Sequence, residues 1–121
     1  MGHLEEIEPG LDVYADRRHG REYPCEVRKK RGSIDILAVD AKGGLVVIEC
    51  KRGRGLPTAL GQLLGYLGWV GEHLCSSRET VRGALVVGRA TPMLMCAVRA
   101  VPLAIGVWEC TPEGIREVRG W

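Results

Sequence analysis

Phenylalanine is missing altogether and only 5% of the residues are aromatic, so a hydrophobic core must be filled by Leu, Val, Ile and three Trp. No apolar run approaches the roughly 20 residues of a transmembrane helix, which excludes a helical membrane span. The five cysteines, Cys25, Cys50, Cys75, Cys96 and Cys110, include no CxxC pair, so a zinc site lacks its usual ligand spacing. Their odd number, without a secretory leader, points to reduced thiols in the cytoplasm. Repeats, low-complexity tracts and interdomain linkers are also missing. What is left is 121 residues of ordinary globular composition, 45% hydrophobic and 26% charged. This suits one compact domain spanning 1–121.

The net charge is only +2, but the basic residues are clustered. Arg17, Arg18, His19 and Arg21 form one group, Arg28, Lys29, Lys30 and Arg31 a second, and Lys51, Arg52 and Arg54 a third. Runs of this kind are most often solvated loops. Three of them in one half of a chain also suit a polyanionic partner.

The periodicities alternate between strand and helix. "HLEEIEPGL" reads as a short helix stopped by Pro9-Gly10. Leu11 to Tyr14 and Cys25 to Arg28 read as strands. "SIDILAVD" and "LVVIEC" read as a hairpin turning at "AKGG", where glycine takes positive φ cheaply. "LPTALGQLLGYLGWVGEHLC" is an amphipathic helix with Pro57 in its first turn and Leu60, Leu63, Leu64, Leu67, Val70 and Leu74 on one stripe. Its glycines lower helix propensity and allow close packing onto a sheet. Gln62, Tyr66, Trp69 and His73 step by four, three and four along the opposite face, a surface for DNA or a second subunit. "RGALVVG", "LAIGVWEC" and "GIREVRG" read as further strands. "TPMLMCAVRAV" reads as a helix with Thr91 as N-cap and Pro92 at N1. The sum is an α/β domain with a mixed central sheet flanked by helices.

The apolar background of the hairpin is interrupted by three charged side chains. Glu49 and Lys51 stand at i and i+2 of one strand and share a face. Asp35 interrupts the preceding strand, and the tight turn can bring it beside Glu49. Two close carboxylates repel unless a proton or cation lies between them. Hard oxygen ligands favour Mg²⁺ or Mn²⁺. Such an ion activates water for attack on a phosphate, and a neighbouring Lys can orient that water or offset developing charge. The plainer reading is a structural salt bridge at a strand end, with Asp35 capping a turn.

"GSIDILAVDAKGGLVVIECKRG" resembles the D…ExK core of the PD-(D/E)XK nucleases. "GQLLGYLGWV" carries the QxxxY of several of their branches. With "IEPGL" before the core and "VRGALVV" after the helix, the chain is similar to the C-terminal nuclease domain of the NucS/EndoMS endonucleases, over about Ile7 to Val87. The resemblance implies a restriction-endonuclease-like fold and a metal-dependent endonuclease acting in DNA repair or processing, leaving 5′-phosphate and 3′-hydroxyl ends. It implies Asp35 and Glu49 as metal ligands with Glu8 as the first-helix acid, Lys51 as the residue positioning water, and Gln62 and Tyr66 lining the site. Arg17, Arg18, Arg21, Lys29, Lys30, Arg31, Arg52, Arg54 and Trp69 would contact DNA. A homodimer would cut two strands. Members of the family carry an N-terminal domain that helps to bind DNA, so a separate protein or domain is expected to supply recognition of DNA structure. The alternatives are a non-catalytic nucleic-acid-binding module on the same fold and a protein-interaction domain.

Overall fold

The computed structural model describes residues 4–14, 21–27, 30–74 and 81–121, with side chains for all of these except 21–27 and 30–33. The elements run α1 (Leu4–Ile7), β1 (Asp12–Val13), β2 (Arg21–Val27), β3 (Lys30–Val39), β4 (Leu45–Gly55), α2 (Pro57–His73), β5 (Val81–Ala90), α3 (Pro92–Ala100), β6 (Ile105–Thr111) and β7 (Gly114–Arg119). They build one mixed sheet in the order β1-β3-β4-β5-β6-β7, with β2 also paired to β3. The β4–β5 and β5–β6 pairs are parallel and the others antiparallel. Parallel neighbours require crossover connections, and α2 and α3 supply them.

The β3–β4 hairpin closes on Asp40. Its Oδ1 accepts from the N–H groups of Lys42 (2.9 Å) and Gly44 (2.8 Å), and Gly43 takes φ 86°. This turn fixes the register that runs from Val39 opposite Leu45 to Ile36 opposite Ile48. Leu45 to Glu49 are all buried, because β4 is central and covered on both faces.

On one face Leu45, Val47, Leu85, Val87, Ile105 and Val107 meet Ala59, Leu60, Leu63, Leu67 and Val70 of α2 and Leu94 and Val98 of α3. On the other, Val46, Ile48, Ala84, Val86 and Trp108 meet Leu4, Ile7 and Leu11. Truncating a fully buried leucine such as Leu63 to alanine costs about 2–5 kcal/mol. The close approach of α2 depends on Gly83 of β5, where a Cβ would lie 3.0 Å from Leu63 Cδ2 and 3.1 Å from Leu67 Cδ1. The helix glycines Gly61, Gly65 and Gly68 face open space, so the tight packing expected of them belongs to the strand instead.

The helix starts are as the sequence dictates. Pro57 begins α2, and Thr91 caps α3 by accepting from Leu94 N–H at 3.2 Å. The same Thr91 hydroxyl donates to Gly55 O at 2.6 Å, tying the start of α3 to the end of β4. At the far end of the sheet Arg82 reaches both oxygens of Glu8 (2.7 and 2.8 Å) and Asp40 Oδ2 (2.9 Å), and it stacks 4.3 Å from the Trp121 ring. Segments distant in sequence are thereby joined to the β3–β4 turn.

Candidate active site

Past Ile36 and Ile48, β3 and β4 separate, and the ladder between them ends. Ile34 and Leu37 both join the cluster under α2, whereas Ile36 and Ala38 join the opposite one. Strict alternation is therefore broken between Ile34 and Leu37, at Asp35. Continued by one step, the register would put Asp35 opposite Glu49. Asp35 Oδ2 accepts the backbone N–H of Cys50 at 2.9 Å, which anchors the carboxylate against the partner strand.

Glu49 is 3% exposed, although it is a carboxylate on a core strand. Its Oε2 lies 3.4 Å from Lys51 Nζ, and its Oε1 is buried with no hydrogen-bond partner. Burial, reinforced by the facing Asp35 carboxylate, pushes the Glu49 carboxyl up to about 7, with Lys51 opposing. An orphaned carboxylate oxygen beside a second carboxylate is costly unless a proton or cation occupies the space between. The hard oxygen donors of Asp35 and Glu49 fit Mg²⁺ or Mn²⁺, which take one or two protein carboxylates and complete their shell with water and substrate phosphate. Among the described residues no third Asp, Glu, His or Cys joins this pair.

Asp35 and Lys51, though not the buried Glu49, line a cleft of about 450 Å³ together with Cys50, Arg52, Gly53, Val86, Val87, Gly88 and Cys110. Its floor comes from an irregularity in β4. Lys51 pairs with Val87 but Arg54 pairs with Arg89, so β4 carries one extra residue in between. Gly53 in that bulge takes φ 73°, and its backbone packs against Gly88, where a Cβ would come within 2.8 Å of Gly53 O. Cys50 packs on the face opposite Glu49, and burial together with both carboxylates pushes its thiol up to about 11.

Asp35, Glu49 and Lys51 are therefore brought together, but Glu8 is not. Its carboxylate is committed to Arg82, which holds it below the usual carboxyl range. Arg82 pairs with Val46, three residues before Glu49 along β4, so Glu8 sits at the opposite end of the strands. Gln62 is exposed, Tyr66 packs half-buried against the helix-side core, and neither lines the cleft. Trp69 is likewise half-buried there and stacks on His73 with centroids 4.6 Å apart. Gln62 and His73, which share this face of α2 with the half-buried Tyr66 and Trp69, are exposed. Arg52 and Arg54 are exposed at the bulge. Arg17, Arg18 and Lys29 lie outside the described residues, as do the side chains of Arg21, Lys30 and Arg31. Sequence reasoning missed Gly53, Gly88 and Cys110 as cleft residues. The glycine after "ECKR" was the available signal for the bulge.

Residues 14–103 match the family described as the endonuclease NucS C-terminal domain. The chain belongs to that family. Solved structures agree with the assignment. A complex of EndoMS with double-stranded DNA superposes with a TM-score of 0.66 at 28% identity, over 88% of this chain and 40% of that one. A repair endonuclease from Pyrococcus abyssi gives 0.67 at 27% identity, over 88% and 42%. EndoMS in its apo form gives 0.64 at 26% identity, over 88% and 42%. The chain thus spans about two-fifths of the length of these relatives. No curated protein sequence matches it. The NucS C-terminal fold is the mixed sheet with flanking helices described above. Among the described residues no helix is long and apolar enough to cross a membrane.

Proposed function

We propose that this NucS-type domain is a divalent-metal-dependent DNA endonuclease working in DNA repair or processing. The observation that carries the reading is Glu49: a buried carboxylate with one orphaned oxygen, faced by the anchored carboxylate of Asp35 and flanked by Lys51 at the edge of an open cleft.

Asp35 and Glu49 would hold Mg²⁺ or Mn²⁺. When bound, such an ion stabilises negative charge on phosphate oxygens and makes water a stronger nucleophile. The protein's own contribution is positional. The Cys50 N–H fixes Asp35, and the buried wall fixes Glu49. Lys51, whose side chain is 38% exposed to the cleft, orients the attacking water and offsets charge developing on the phosphoryl group. In the reaction the water oxygen bonds to phosphorus and gives up a proton to solvent, the bond from phosphorus to O3′ breaks, and O3′ leaves and takes up a proton from solvent. A 5′-phosphate and a 3′-hydroxyl result. Relatives that include EndoMS bound to double-stranded DNA support DNA as the substrate. Cutting both strands then calls for two copies, and recognition of a DNA structure for a further domain or protein.

The test incubates the protein with supercoiled, linear and branched DNA, with and without Mg²⁺ or Mn²⁺, beside Asp35→Ala, Glu49→Ala and Lys51→Ala. Metal-dependent cutting lost in all three variants is the expected result. Cutting that survives every substitution overturns the proposal. Binding without cutting in any metal leaves the non-catalytic module.

A further inference from the structure

Beyond the bulge, β4 and β5 set two arginines side by side. Arg54 and Arg89 are register partners on adjacent parallel strands, and both are exposed. Their successors turn towards α3: a Cβ at Gly55 would meet Val87 and Leu94, and Ala90 packs against the same cluster. As register partners on adjacent strands, Arg54 and Arg89 share one side of the sheet. Like charges directly opposite one another destabilise a sheet. Among the described residues neither arginine has an ion-pair partner. Arg89 acts electrostatically on Glu109, which is already engaged by Arg116 and by the Ala90 N–H at 2.8 Å.

The ground between this pair and Lys51 carries few side chains. Gly53 and Gly88 immediately precede Arg54 and Arg89, and both line the cleft. A Cβ on Gly53 would meet nothing within 4 Å, so its Cα faces open space. Glycine at such a place lets a ligand approach the backbone closely. Three residues of strand, shortened by the bulge, put Arg54 within roughly 10 Å of Lys51.

We propose that Arg54 and Arg89 form a single backbone-phosphate clamp for a nucleic-acid strand, seated beyond the Gly53–Gly88 floor beside Lys51. Identifying the clamped phosphate as a near neighbour of the one cut rests on the endonuclease reading; the clamp itself does not. Two guanidinium groups converging on one phosphate offset their mutual repulsion and fix the strand's position, with no base being read.

The test measures affinity for a short fluorescent duplex in EDTA, from about 50 to about 200 mM NaCl, for the wild type, Arg54→Ala, Arg89→Ala, the double variant and Arg99→Ala on α3. Either single variant should weaken binding about tenfold at low salt and make the log–log salt slope shallower by about one. The double variant should also lose only about one, because both side chains serve the same phosphate. Arg99→Ala should match the wild type. An unchanged slope in Arg89→Ala overturns the clamp, and a loss of about two in the double variant overturns its sharing. If the double variant loses a thermal shift induced by inorganic phosphate but keeps its duplex affinity, the pair binds a free anion and the proposal falls. Normal cutting with an unchanged slope removes only the clamp. A changed slope without cutting in Mg²⁺ or Mn²⁺ removes only the endonuclease reading.

Discussion

The backbone N–H of Cys50 donates to Asp35 Oδ2 across 2.9 Å, at the point where the β3–β4 ladder has ended. A main-chain donor thus holds one carboxylate facing a second, Glu49, whose own carboxyl is pushed up to about 7 by burial and by Asp35. Between the ordinary value of 4.5 and about 7, folded Glu49 keeps a proton that the unfolded chain has released. Stability of the metal-free protein should therefore fall as pH rises through that window and level off above it. Thermal melting in EDTA from pH 5 to pH 8 measures this. Mn²⁺ should raise Tm strongly at pH 8 and little at pH 5, where it competes with the proton. Glu49→Gln should flatten the pH profile and abolish the metal effect. A wild-type profile already flat in EDTA contradicts the geometry.

Lys51 separates catalysis from stability. Its contact with Glu49 is 3.4 Å and its side chain is 38% exposed, so the pair adds at most about 1 kcal/mol to folding. Lys51→Ala should melt within a few degrees of the wild type and bind DNA within a fewfold. Single-turnover cutting should fall by about 100-fold or more, the loss typical of removing one transition-state charge donor. Equal losses in binding and cutting would show that Lys51 only attracts the substrate.

The parts of this site that local rules govern were legible in the sequence. The Asp40–Gly44 turn fixed the hairpin register, and with it the approach of Asp35 to Glu49, because a side-chain period of two leaves no latitude. Thr91-Pro92 located the start of α3 through cap chemistry alone. Non-local packing was not legible. Glu8 resembles a ligand by its place in the chain, yet its partner Arg82 is 74 residues away. Tyr66 and Trp69 occupy the polar-side positions of a helical wheel, which cannot show that both pack half-buried against the helix-side core. Arg89 is unremarkable in the sequence because its significance depends on the strand beside it.

Gly88 provides a test of how the bulge sets the site. Its Cβ would fall 2.8 Å from Gly53 O and 2.9 Å from Gly53 N, and these are backbone atoms that no rotamer change can move aside. Gly88→Ala should displace the bulge that follows Lys51, costing about 1–3 kcal/mol and lowering kcat at least about tenfold with KM little changed. Gly53→Ala has open space around its new methyl group, and its cost is the positive φ of 73°, about 1–2 kcal/mol. Gly53→Ala should therefore retain more activity than Gly88→Ala at matched stability. The two are compared by steady-state kinetics well below each Tm.

Glu8 and Arg82 decide whether α1 serves chemistry or architecture. Arg82 holds Glu8 by two hydrogen bonds and Asp40 by a third, and these side chains are only 16–27% exposed. The guanidinium holds the Glu8 carboxyl below its usual range, so Glu8 is ionised and engaged, not waiting for a cation. Arg82→Ala leaves two half-buried carboxylates close together with no cation between them. It should cost about 1–3 kcal/mol, seen as a Tm lower by roughly 5–15 °C. Glu8→Gln weakens the same network and should destabilise less. Both variants should cut DNA within about twofold of the wild type when assayed well below their own Tm, because neither group reaches the Asp35–Glu49 carboxylates. A loss of about 100-fold in Glu8→Gln, with its Tm intact and partial recovery at high Mn²⁺, would instead make Glu8 a metal ligand and require α1 to move to the other end of β4 when the ion binds.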